Sequence, residues 1–172
     1  MTTKFNITIA DITTIKATAI VNSANTTLQK GSGICKTIYE KAGEAQLNAY
    51  LQGQENLKPG AAIVTPGFNL PAQYIIHTVT PKYFLQNDAK HAQFASCYVS
   101  ILKAAIYYHM KTIAIPCLGI GHHGWPLEEA AKIAVDTLQW YLSKQQATEI
   151  EEIIFVCFDK KQAATYSTML GK

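Results

Sequence analysis

Residues 17–43 read ATAIVNSANTTLQKGSGICKTIYEKAG, and three kinds of pattern meet within them. Ala17–Ala24 is a short apolar run interrupted by Asn22, as expected of a strand covered by helices on both faces. Ile34, Ile38 and Ala42 then step at helical spacing, and Gly43 breaks that pattern. Between the two lies a loop carrying Asn25 and the triplet Gly31-Ser32-Gly33. Strand, glycine loop and helix in succession predict an α/β sheet. The helix start leaves backbone N–H groups free toward whatever the loop surrounds.

The rest of the chain repeats this grammar. Lys4–Ala10 alternates as a half-buried strand should, while Ala61–Pro66, Tyr74–Val79, Thr112–Pro116 and Glu152–Phe158 are short, strongly apolar runs. Helical stripes follow from Lys90 (Phe94, Tyr98, Ile101, Leu102, Ala105), from Pro126 (Leu127, Ala131, Ala134, Leu138, Tyr141) and over Lys160–Leu170. Pro126, with Glu128 and Glu129 behind it, suits a first helical turn. The order is mostly β-α-β-β-α-β-α-β-α, which predicts a three-layer α/β/α sandwich around a mixed, mostly parallel sheet. LQGQENLKPG (51–60) and TPKYFLQNDAK (80–90) read as surface loops.

With 172 residues the chain fits one domain, residues 1–172, large enough for a proper core. Fifteen basic against twelve acidic residues, a net charge of +3, are too evenly spread to point to nucleic acid or an anionic membrane. No run has the length of a transmembrane helix, and the first residues lack a signal-peptide core. Cys35, Cys97, Cys117 and Cys157 stand far apart without a Cys-x-x-Cys pair, which reads as reduced thiols in the cytoplasm. Cys97, Cys117 and Cys157 are expected in the core, and His77 in a strand with a structural role.

Ligands of such sheets bind beyond the carboxyl ends of the strands. There the chain places Asp11, then Asn22–Gly33, then CLGIGHHGWP (117–126), then Phe158 and Asp159. Two glycine-bearing loops, each leading into a helix, would suit a diphosphate. Neither matches a phosphate-loop pattern: GSGICKT is not GxxxxGK[ST], and GIGHHG lacks the spacing of GxGxxG. Spacing alone leaves a structural turn and a phosphate loop evenly matched.

Taken together, ADIT (10–13), AIVNSANTTLQKGSGICKTIYEKAG (19–43), LPAQYIIHTVTP (70–81), IPCLGIGHHGWPLEEAAKIAV (115–135) and FVCFD (155–159) resemble the macro domain family in order and spacing. The likeness is greatest to bacterial MacroD-type domains, which bind or cleave ADP-ribose derivatives. It implies that Asp11, with Ile12 beside it, receives the adenine amino group and that Phe158 stacks on the base. Gly31, Ser32, Gly33 and Ile34 match the first diphosphate loop. Gly119, Ile120, Gly121, His122, His123 and Gly124 match the second, with His123 where an aromatic usually lies against the distal ribose. Asn25 matches the asparagine that holds that ribose, and Asn22 one that fixes the loop backbone. The resemblance calls for no metal and no cofactor. The partner it implies is ADP-ribose or an ADP-ribosylated protein.

Cys35 stands where MacroD-type hydrolases carry a catalytic aspartate. A thiol is mostly protonated at neutral pH and does not orient water as a carboxylate does. The reading is therefore a hydrolase of mono-ADP-ribosylated protein or O-acetyl-ADP-ribose, with a non-catalytic ADP-ribose reader as the alternative. A Cys35–His123 nucleophile pair and a zinc site of Cys35, His122 and His123 are two further possibilities. Lys30, which interrupts the glycine run, either adds charge near a phosphate or points into water.

Overall fold

The computed structural model describes residues 2–84, 87–146 and 148–172. Six strands form one sheet: β1 (Lys4–Ile9), β2 (Ala19–Ser23), β3 (Ala62–Pro66), β4 (Tyr74–Thr78), β5 (Thr112–Pro116) and β6 (Glu152–Cys157), in the spatial order β1-β6-β5-β2-β4-β3. All neighbours run parallel except β3 on β4. The helices are α1 (Gly33–Ala42), α2 (Glu44–Leu51), α3 (Asp88–Tyr107), α4 (Leu127–Ser143) and α5 (Lys160–Met169). A short 3-10 turn, Ile12–Thr14, joins β1 to β2.

The two-residue period of the strands sorts their side chains between two cores. Ala19 and Val21 of β2, Ile113 and Ile115 of β5, and Ile153 and Phe155 of β6 pack with Phe94, Tyr98, Ala131, Leu138 and Tyr166 from α3, α4 and α5. Ile20, Ala114 and Val156, one position out of phase, pack with Cys35, Ile38, Leu47 and Leu51 from α1 and α2. The result is the expected three-layer sandwich. Gly43 has φ +105° and divides α1 from α2, where the sequence places the break.

Several boundaries move. β1 lies at the sheet edge and is half-exposed along its length. Pro126 caps α4 from outside and offers its carbonyl to Ala130 N–H, so the helix begins at Leu127. The 52–60 loop is tied down by Leu57, which is buried and donates its N–H to the Thr26 carbonyl at 2.8 Å. In the 80–90 loop, Pro81 is buried and its carbonyl accepts the Trp125 indole N–H at 2.8 Å. Leu85 and Gln86 of that loop lie outside the described residues.

Candidate functional site

The carboxyl ends of β1, β6, β5 and β2 open into a cleft of about 940 Å³. Its lining includes Asp11 and Ile12 after β1, Phe158 after β6, Gly119 to His123 after β5, and Asn25 with Gly31 to Cys35 after β2. Gly124 is not part of it; this residue closes a turn, donating its N–H to the Gly121 carbonyl.

At the β1 end, Asp11 caps the 3-10 turn. Its Oδ1 accepts both the Thr13 N–H (2.9 Å) and the Thr13 hydroxyl (2.7 Å). Both bonds use one oxygen, which leaves Oδ2 as an acceptor at the cleft. Phe158 is 86% exposed although it ends an apolar run, so a core role is excluded. Its backbone N–H is held by Gln162 Oε1 at 2.7 Å, and Gln162 also lines the cleft. Asp159 caps α5 through Gln162 N–H and so sets that glutamine in place. Sequence reasoning passed over Gln162; its position four residues after an aromatic and three after an N-cap aspartate was the available signal.

The middle of the cleft is formed by the two loops. Ser32 is the N-cap residue of α1 but makes no side-chain cap bond; its Oγ lies 2.8 Å from His122 Nε2 of the other loop. The first N–H groups of α1 thus stay free of a side-chain cap, and a hydrogen bond bridges the cleft above them. The second loop is closed by the Trp125 N–H on the Gly119 carbonyl (3.0 Å). Gly119 has φ +81°, and a Cβ there would lie 2.8 Å from the Trp125 ring, so only glycine fits. Trp125 itself is buried against Phe94, with ring centroids 4.3 Å apart. His123 is held by the Thr80 hydroxyl on Nδ1, and burial, Lys82 and His122 lower its pKa from the usual value. Lys30 points away from the loops into an ion pair with Glu40 and Glu44, at 3.1 and 2.8 Å.

At the β2 end the loop-fixing part expected of Asn22 falls to Asn25. Asn25 fixes the loop: its Oδ1 accepts Gln29 N–H and the Thr27 hydroxyl, and its Nδ2 donates to the Gln29 carbonyl at 2.6 Å. Asn22 is fully buried, and among the described residues its side chain makes no hydrogen bond to the loop backbone, its Oδ1 having no partner. Its Nδ2 reaches Cys35 Sγ (3.7 Å) and His77 Nδ1 (3.1 Å), and His77 Nε2 lies 2.9 Å from the Thr65 hydroxyl. With Asn22 donating, His77 Nδ1 is the acceptor and its proton sits on Nε2, toward Thr65. A Cβ on Gly31 would lie 3.3 Å from Asn25 Nδ2 and 3.6 Å from Cys35 Sγ. Asn25 and Cys35 therefore flank the same point.

Cys35 is 4% exposed, and its thiol faces Asn22 and the Gln29 carbonyl, not a histidine. His122 and His123 are engaged by Ser32 and Thr80, which removes the basis for a Cys35–His123 pair. Among the described residues no group of three His, Cys, Asp or Glu side chains is placed to hold a metal. Cys157 is in the core as expected and also borders the cleft, whereas Cys117, likewise expected in the core, is only half-buried in the cleft wall. Cys97 is in the core.

The fold and cleft define a three-layer α/β protein with an elongated ligand site fed by two glycine loops. The macro domain sequence model matches residues 21–134, and the chain belongs to the macro domain family. It is 40% identical to a macro domain-containing protein of Chlorobaculum tepidum over 94% of this chain and 92% of that one. It is 37% identical to the O-acetyl-ADP-ribose deacetylase of Klebsiella pneumoniae, over 95% and 94%. A mutant Oceanobacillus iheyensis macrodomain with ADPR superposes with a TM-score of 0.89 at 31% identity, covering 96% of this chain and 90% of that one.

Proposed function

We propose that this chain, as a single macro domain, binds ADP-ribose along the cleft and hydrolyses mono-ADP-ribosylated protein or O-acetyl-ADP-ribose. The observation that carries the reading is the order of the strands. From β1 to β2 the lining runs from Asp11, through Phe158 and the two glycine loops, to Asn25 and Cys35. Three inter-strand steps of about 4.8 Å span roughly 14 Å, which suits a nucleoside, a diphosphate and a second ribose laid end to end. Asp11 Oδ2 accepts from the adenine amino group and Phe158 covers the base. The free N–H groups of α1 and of the second loop hold the diphosphate. The second hydrogen of Asn25 Nδ2 is left for the distal ribose.

The deacetylase among the relatives supports hydrolysis. On this view Asn25 and the substrate's own phosphate position the attacking water, and Cys35 shapes the pocket. The reader alternative is favoured by one observation. Among the described residues Asp11 is the only carboxylate in the lining, and it sits at the opposite end of the cleft from Cys35. Calorimetric titration with ADP-ribose tests binding. Release of free ADP-ribose from a mono-ADP-ribosylated protein, or of acetate from O-acetyl-ADP-ribose, tests turnover. Saturable binding without release establishes the reader, and no binding by the folded protein rejects both readings.

A further inference from the structure

The thiols of Cys117 and Cys157 are in contact, Sγ to Sγ 3.8 Å, with Cys117 S–H donating to Cys157. This contact follows from register. Pro116 of β5 pairs with Val156 of β6, which brings Cys117, just beyond β5, beside Cys157, the last residue of β6. Adjacent strands lie about 4.8 Å apart, and two sulfurs already in contact there need only a small closure to reach disulfide geometry. Both residues line the cleft, and half-buried Cys117 gives small oxidants access from it.

Their positions tie them to the two ends of the adenine-side wall. Cys157 precedes Phe158 and lies opposite Ile9 of β1, and its carbonyl accepts the N–H of Ala10, the residue before Asp11. Cys117 is two residues before Gly119, where the second loop begins. We propose that Cys117 and Cys157 are a redox-modifiable dithiol, oxidised by a peroxide to a disulfide that weakens ligand binding in the cleft. The effect on binding rests on the adenosine end of the cleft being where we place it.

The chemistry balances with peroxide as the oxidant. The Cys157 sulfur, as thiolate, attacks one peroxide oxygen; the O–O bond breaks, leaving a sulfenic acid and hydroxide. The Cys117 sulfur then attacks the sulfenic sulfur, the S–S bond forms, and the sulfenic oxygen departs as water with the Cys117 proton. Cys157 suits the first step because the Cys117 S–H bond lowers its pKa below that of an ordinary thiol, while that same contact and then burial raise Cys117. The sulfurs must close from 3.8 Å to about 2.05 Å. Phe155 and Tyr166, with ring centroids 4.5 Å apart, share the buried core cluster with Cys157. The closure is therefore taken up by the strand ends that carry Phe158 and the second loop.

The test uses the full chain, first reduced and titrated with ADP-ribose, then treated with hydrogen peroxide. The expected results are the loss of two hydrogens in the intact mass, a peptide linking residues 117 and 157, and affinity lowered about tenfold and restored by dithiothreitol. Cys157→Ser, which removes the sulfur that peroxide attacks, should form no such link and keep its affinity under peroxide; Cys117→Ser, which should stop at the Cys157 sulfenic acid without a link, serves if that variant fails to fold. A folded wild-type protein that forms no 117–157 link overturns the proposal, as does a linked protein that binds like the reduced one. Oxygen added at Cys35 with no link also overturns it. Failure of the reduced protein to bind would instead reject the functional reading, while the link itself would still be read by mass.

Discussion

Acidification should unfold this protein through His77, and the size of the effect follows from its surroundings. The side chain is fully buried in β4, accepts from Asn22 and donates to Thr65, and among the described residues no carboxylate pairs with it. Burial alone pushes its pKa from 6.5 down to about 3. The depressed value makes the native state refuse a proton that the unfolded chain takes up. The stabilisation is thus complete above about pH 6.5 and is lost as pH falls from there toward about 3. At about pH 5 the loss is roughly 2 kcal/mol, since the unfolded histidine is by then some thirtyfold more protonated than not. With a urea m-value of about 2 kcal/mol/M, the midpoint should drop by roughly 1 M between about pH 7.5 and pH 5.

His123, whose pKa is also lowered, adds to this loss. His91, raised by the Asn87 carbonyl and by Glu129, works the other way, its stabilisation being present at low pH and lost as pH rises. The measurement is therefore a difference. His77→Gln keeps an acceptor and a donor on the side chain but cannot titrate. Urea unfolding followed by circular dichroism at the two pH values should show about 2 kcal/mol less acid sensitivity in the variant. Equal acid sensitivity in the two proteins would refute the account, because the protonation of a buried imidazole would not be the cause.

Three further outcomes are expected. Asp11→Asn keeps Oδ1 for the cap on Thr13 but can turn a donor toward the adenine amino group. Calorimetry should show ADP-ribose affinity down by about 1–3 kcal/mol with little change in thermal midpoint. Asn25→Ala removes the bonds that close residues 25–29 along with the proposed ribose donor, so turnover should fall by more than adenosine binding; equal loss of both would make Asn25 structural only. Gly119→Ala meets both the positive φ and the Trp125 ring at 2.8 Å. It should destabilise the fold by about 2 kcal/mol or more, read as a lowered urea midpoint.

The layers of the fold were legible because the strands alternate their side chains between two cores and the helices carry single apolar stripes. What escaped was set by contacts that exist only after folding. Asn22 and Asn25 look alike as two asparagines near a strand end. Their difference comes from β2 continuing to Ser23, which leaves Asn22 inside the sheet opposite His77 of β4. Asn25, beyond the strand, is free to close the loop. Phe158 extends an apolar run, and nothing in that run shows that the chain has already left the sheet. Cys117 and Cys157 are forty residues apart and meet only through the β5–β6 register.

Cys35 shows the same dependence on position. The sequence identifies it as a replacement for a carboxylate, and the structure shows what surrounds it: the Asn22 amide as a donor, the Gln29 carbonyl as an acceptor, and the space left by Gly31. A carboxylate there would gain the Asn22 donor but face the Gln29 carbonyl oxygen, whereas a thiol can accept from the first and donate to the second. The pocket is thus matched to a neutral donor–acceptor at residue 35. Cys35→Asp should therefore lower the urea midpoint even if it raises hydrolysis, and a gain in rate without that loss would show that the match to the thiol is not energetically significant.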